Sequence, residues 1–184
     1  MRLSADDVLD IPVPDHLRGY ELVDGELVEV SLVSPPHGRI AAKIAYHLQA
    51  HVEREGVRGS VYVEAGCVLG LRHDRERLRG PDVSYVSAET LRERGGEPAR
   101  GWFRLVPDLV VEVDSPGRRP AVEQRRIQDY LDAGVKLLWV IHTEAGSATV
   151  YHADGAARLL RPGDALAGEP VLPGFRLPLG ALFA

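Results

Sequence analysis

The chain has 184 residues, 45% of them apolar, a net charge of −5 and one cysteine. That length and apolar content suit one globular domain over residues 1–184, with a core of its own and no linker for a second. The acidic balance argues against a protein that coats nucleic acid non-specifically. A single cysteine, Cys67, excludes an internal disulfide and every zinc-finger spacing, which agrees with a reducing compartment.

The N-terminal stretch is acidic and broken by prolines, so it does not read as a signal peptide, and no apolar run approaches the length of a membrane span. A cytoplasmic protein with no membrane association is the expectation. Residues 20–30 carry strand-like halves around Asp24-Gly25, a strong short hairpin signal. Ser34-Pro35-Pro36-His37 then breaks the strand. Ile40, Ile44, Leu48 and Val52 recur at helical spacing, predicting an amphipathic helix of about four turns that closes near Gly56.

Residues 57–71 read as one or two strands, with Cys67 a small buried side chain that nothing nearby would activate. Residues 72–79 read as a charged hairpin tip or loop. Arg72, Arg75, Arg77 and Arg79 there, and Arg118, Arg119, Arg125 and Arg126 later, form two basic clusters whose plain reading is solvated surface. Gly80-Pro81-Asp82 leads into a short strand over residues 83–86, and residues 87–102 read as a short surface helix and a loop.

Residues 107–117 hold the most informative stretch, Pro-Asp-Leu-Val-Val-Glu-Val-Asp-Ser-Pro-Gly. An apolar run bounded by turn residues reads as a central strand, and side chains two apart on a strand share a face, so Glu112 and Asp114 point the same way. Ionised carboxylates are costly in a core unless paired or metal-bound, and a divalent cation is the simplest explanation for two of them. Pro120 opens a helix that runs to Ala133 and stops at Gly134, followed by a strand over residues 136–141. Strand, helix and strand over this length form a right-handed βαβ unit with parallel strands.

Val122, Arg126 and Tyr130 are spaced four apart and are expected to face the sheet. Arg126 then approaches the carboxylate strand, either as a structural ion pair to Glu112 or Asp114 or as an arginine passing to solvent. Residues 148–160 read as a hairpin around Asp154-Gly155, and the Pro- and Gly-rich tail is expected to extend one sheet edge. The fold class is α/β (α+β), a mixed sheet with an N-terminal β-hairpin and two principal helices. His47 and His51 lie four apart on the first helix without the partners that zinc requires.

The order of hairpin, His37-led helix, Pro81-Asp82-Val83, the Pro107 to Pro116 strand motif, Tyr130, Ala133-Gly134-Val135 and Trp139 resembles the Uma2 (DUF820) family of restriction-endonuclease-like proteins, a branch of the PD-(D/E)xK nuclease superfamily. The likeness covers residues 20–141 and implies a restriction-endonuclease-like core and Mg²⁺-dependent (or Mn²⁺-dependent) hydrolysis of DNA phosphodiesters. Carried over, it makes Asp82 and Glu112 catalytic metal ligands, with His37 matching a further position at the start of the first helix; a capping role is the plain alternative for His37. The superfamily lysine two residues after the glutamate is Asp114 here, which reads as a third metal ligand or a partner of Arg126. The branch places its lysine four residues before the tyrosine, where this chain has Arg126, a cation that can bind phosphate bidentately but cannot act as a base. Leu137 stands where the family tends to have a glutamate. Two readings stay open: an active endonuclease, or a nuclease-like module that binds DNA or protein without cutting. A homodimer is the default expectation, since cutting both strands pairs two sites about a twofold axis.

Overall fold

A computed structural model describes residues 2–114 and 120–184. The entry hairpin is β1 (Leu17–Val23) and β2 (Glu26–Ser31), paired antiparallel, with Asp24 and Gly25 both at positive φ in the turn, as a two-residue hairpin of this hand requires. Helix α1 (Pro35–Glu55) begins where the Ser34 hydroxyl accepts the His37 N–H and ends at Gly56, whose left-handed backbone closes it. It is longer than its apolar spacing alone suggested, because Pro35 and Pro36 fill the first turn, where no N–H is needed.

Then come β3 (Gly59–Val63), β4 (Cys67–Val68), β5 (Leu78–Arg79), β6 (Val83–Ser87), the short α2 (Ala88–Glu93) and β7 (Leu109–Val113). Helix α3 (Pro120–Ala133) leads to β8 (Leu137–His142), β9 (Ser147–His152) and β10 (Ala157–Leu160). The chain closes with β11 (Ala165–Ala167), β12 (Arg176–Pro178) and α4 (Leu179–Phe183). The main sheet is mixed, in the order β10-β9-β8-β7-β6-β3, and β7 lies inside it. Only β7 and β8 run parallel, joined through α3 as the βαβ reading requires. A second, antiparallel sheet has the order β2-β1-β5-β4.

Strand periodicity sorts the two faces of the main sheet. Val83, Tyr85, Leu109, Val111, Val113, Leu137, Trp139 and Ile141 pack with Ile40, Ile44, Leu48 and Val52 of α1. The alternate residues Val86, Val110, Leu138 and Val140 pack with Ile127 and Tyr130 of α3. Glu112 belongs by parity to the α3 face, and the same parity on β6 puts Asp82 with Ser84 and Val86.

Four expectations are corrected. Residues 72–77 form the expected loop, with Arg72 and Arg75 exposed, but β5 is built into the second sheet, and Arg77 (0% exposed) and Arg79 (2%) are buried among carboxylates. Arg125 of the second basic cluster is surface, Arg126 is buried, and Arg118 and Arg119 lie outside the described residues. Val122 is 43% exposed, one turn before α3 meets the sheet, so the inward stripe is Arg126, Ile127 and Tyr130. The C-terminal tail adds no strand to the main sheet. Its β11–β12 pair stands as its own hairpin and drops Leu166, Leu172, Phe175, Leu177, Leu179 and Leu182 onto the α1-side core. No helix among the described residues is long and apolar enough to cross a membrane.

Candidate active site

Register brings the two acidic motifs together. Strands β6 and β7 pair antiparallel with Val83 opposite Val111, so one residue further along, Asp82 falls opposite Glu112. Side chains directly opposed on one face sit roughly 5 Å apart at Cβ, and like charges in that arrangement repel. Both residues are buried, Asp82 to 2% exposure and Glu112 to 4%.

Each carboxylate is held from several sides. Asp82 Oδ2 accepts the Val113 N–H at 2.8 Å, while Oδ1 meets His37 Nε2 at 3.1 Å and Arg18 Nη1 at 3.4 Å. Burial opposes ionisation of Asp82, but His37 and the Val113 N–H outweigh it and hold the carboxyl below its usual range. Glu112 is forked by Arg126, with Nη2 to Oε1 at 2.7 Å and Nε to Oε2 at 3.2 Å, and Oε1 also accepts the Tyr130 hydroxyl at 2.8 Å. Even so its carboxyl is pushed above the ordinary range: burial raises it, Arg126 opposes, and the neighbouring charges of Asp82 and Glu21 add to the rise.

Arg126 is the hub. Besides Glu112 it donates to Glu21 Oε1 and to the Gly80 carbonyl at 3.1 Å. Burial disfavours its charge, yet Glu112 and Glu21 together raise its pKa well above the ordinary value, so it stays a cation. Tyr130 is likewise raised, by burial and by Glu112, and remains a phenol that donates. Glu21 comes from β1 and also accepts Arg79 Nη1 at 2.6 Å and the Gly80 N–H at 2.9 Å. Burial alone would raise Glu21, but Arg126 and Arg79 hold it down at about 2.

Behind this lies a second layer. Arg79 Nε reaches Asp129 Oδ2 at 2.8 Å, and Arg77 joins Asp129, Asp74 and Asp24 at 2.9, 2.8 and 2.7 Å. Helix α3 thus presents Arg126 and Tyr130 to the main sheet and Asp129 to the second sheet, as positions three and four apart allow.

Of the predicted site residues, Asp82, Glu112, Arg126 and His37 converge. Asp114 lies one residue past the end of β7 and lines a small cavity with Glu112 and Arg126, while its Oδ1 accepts both the N–H and the hydroxyl of Thr143 at 2.7 Å. Its Oδ2 faces His142 Nδ1 at 3.5 Å. The alternative role for Asp114, as partner of Arg126, is not what the geometry gives, since Arg126 spends its donors on Glu112, Glu21 and Gly80. Among the described residues no three His, Cys, Asp or Glu side chains are gathered to hold a metal ion. Two neighbouring buried carboxylates nonetheless suit Mg²⁺, which is bound through one or two carboxylates and keeps water or phosphate oxygens for the rest.

Sequence reasoning missed Glu21, Arg79 and Asp129. A signal for Glu21 existed, since it is an acid set among Tyr20, Leu22 and Val23 in a strand, where an isolated charge is costly. Nothing local marks its partner, which is 105 residues away.

Comparison with known proteins bears on the family and the fold. Residues 5–180 match the model of the Uma2 family, described as "Putative restriction endonuclease". Among solved structures, a putative nuclease belonging to DUF820 from Anabaena variabilis ATCC 29413 superposes with a TM-score of 0.81 at 19% identity, covering 98% of this chain and 97% of that one. No curated protein matches. Because the family model matches nearly the whole chain, this chain belongs to the Uma2 family of restriction-endonuclease-like proteins.

Proposed function

We propose that the chain is an Mg²⁺-dependent endonuclease of the PD-(D/E)xK type that hydrolyses DNA phosphodiesters, with Asp82 and Glu112 holding the ion. The observation that carries this reading is the register of β6 and β7, which sets the buried carboxylates Asp82 and Glu112 side by side on one face. A divalent cation held by Asp82 and Glu112 would offset the repulsion between them. When bound, it would polarise the phosphate and lower the pKa of an attacking water.

The protein's own residues do the positioning. His37 and the Val113 N–H orient Asp82, Tyr130 and Arg126 orient Glu112, and Glu21 and the Gly80 carbonyl fix Arg126. Arg126 supplies positive charge at the position where the family carries a lysine. In this reading the active form is a cytoplasmic homodimer that pairs two sites across a duplex. A second reading, a nuclease-like module that binds DNA without cutting, is favoured by one observation: every nitrogen of the Arg126 guanidinium is already engaged inside the protein.

Cleavage of supercoiled plasmid with Mg²⁺ or Mn²⁺ separates the two. In the nuclease reading Asp82→Asn and Glu112→Gln each abolish cleavage, and millimolar metal raises the melting temperature of the parent but of neither variant. Arg126→Lys retains cleavage, while Arg126→Ala loses it by a factor on the order of a hundred. If either carboxamide variant cuts as fast as the parent, the site is elsewhere. A parent that binds DNA but cuts none with either metal supports the second reading.

A further inference from the structure

Beside the carboxylate pair is a cleft of about 120 Å³ lined by Arg18, Tyr20, Glu64, Gly66, Gly80 and Trp102, among others. It shares residues with the site: Arg18 touches Asp82, and the Gly80 carbonyl accepts from Arg126. Its aromatic walls are pinned. Trp102 Nε1 donates to the Ala5 carbonyl at 2.8 Å, and its ring lies so close to Gly66 that a Cβ there would come within 2.4 Å of it. Tyr20 reaches the Pro12 carbonyl at 3.5 Å.

Arg18 spans from the cleft to the metal-holding carboxylate. Its Nη1 lies 2.9 Å from Glu64 Oε1 and 3.4 Å from Asp82 Oδ1. Glu64 holds it from a left-handed backbone, φ 55, a conformation that a non-glycine residue adopts at a cost, and the Glu64 N–H is tied to the Asp82 carbonyl at 3.2 Å. A cation held by Asp82 would weaken the longer of these two contacts and leave Arg18 on Glu64 at the cleft.

We propose that this cleft is a subsite for one unpaired nucleotide of the substrate strand, its phosphate on Arg18 and its base against the Trp102 and Tyr20 rings. The proposal rests on the nuclease reading. Guanidinium fits phosphate oxygens in a way a point charge does not, and aromatic walls accept any base because every base has a π face. A paired base cannot enter such a cleft, so the strand must be single or locally unpaired at this position.

The probe is a short fluorescein-labelled single strand, titrated with Ca²⁺ in place of Mg²⁺ while fluorescein anisotropy and tryptophan emission are followed. The other tryptophan, Trp139, is fully buried in the core and serves as a silent background. Binding should quench the parent and leave the emission of Trp102→Phe unchanged, with that variant binding on the order of tenfold more weakly. Arg18→Gln should weaken binding and reduce the slope of log affinity against log salt by about 0.7, one phosphate contact on a single strand. Should Trp102→Phe fold poorly, acrylamide quenching of the parent replaces it, since DNA shields a Trp102 that carries a base. Anisotropy that rises with unchanged, unshielded emission overturns the subsite and leaves the nuclease reading standing. No rise in anisotropy with any strand also overturns the subsite, while the nuclease reading falls only if supercoiled plasmid is left uncut with both metals.

Discussion

On one side of strand β7, Leu109, Val111 and Val113 meet the apolar stripe of α1; on the other, Val110 and Glu112 meet α3, with a layer of arginines and carboxylates beyond it. The first side is held by burial of hydrocarbon, which is non-directional and tolerates small shifts. The second is held by ion pairs out of water, which are stable only while each charge has its partner in place. The charged layer therefore adds geometry more than net stability: it fixes where Glu112 and Arg126 point, at the price of a network that fails when one member is removed.

The largest effect expected from breaking this contrast is at Arg77. Arg77→Ala takes the guanidinium from buried Asp74 and leaves Asp129 with Arg79 alone, and should cost roughly 3–5 kcal/mol, read from urea unfolding. Leu48→Ala, on the apolar side, should cost roughly 2–5 kcal/mol through its cavity, with no dependence on pH beyond that of the parent. A loss below about 1 kcal/mol at Arg77 would mean that the second layer is dispensable.

Acid sharpens the contrast next. The Glu21 carboxyl is depressed from 4.5 to about 2 in the folded protein, so its contribution is fully present above pH 4.5 and is lost as pH falls through that window toward 2. At 1.36 kcal/mol per pKa unit this amounts to about 3 kcal/mol. Glu112 runs the other way: its raised pKa favours the protonated form, so its contribution holds at low pH and fades as pH rises above the ordinary carboxylate value. Urea midpoints taken across the acid window should fall less steeply for Glu21→Gln than for the parent, and equally steeply for Leu48→Ala. Parallel curves for Glu21→Gln and parent would remove Glu21 from the network.

The smallest effect joins the two sides. Ser34 caps α1 by accepting the His37 N–H, and the His37 ring reaches Asp82. Ser34→Ala should cost about 1 kcal/mol and slow cleavage more than that loss of folded protein explains, because the helix start that carries His37 loosens. Equal melting temperature and equal rate would detach His37 from the site.

The sequence by itself determined the elements and their local ends. Asp24-Gly25, Ser34 with the two prolines, Gly56, Pro120 and Gly134 act on their immediate neighbours, and the alternation along residues 109–114 places Glu112 on a definite face. The placement of Glu112 and Arg126 was legible from strand and helix spacing, whereas Asp82 stood out only through the family resemblance, because a Pro-Asp pair alone points to nothing. The pairing of strands was not legible, and it decides the rest. Register set Asp82 against Glu112, and the second sheet carried Glu21, Arg77 and Arg79 onto α3. An arginine run in sequence looks like a wet surface, and whether it is wet depends on carboxylates dozens of residues away. Asp114 makes a related point: its phase brings it to a cavity shared with Glu112 and Arg126, but its bonds to Thr143, 29 residues on, could not be read from the sequence. Local patterns depend on interactions that reach a few residues; the ownership of a buried charge depends on which segments fold against it.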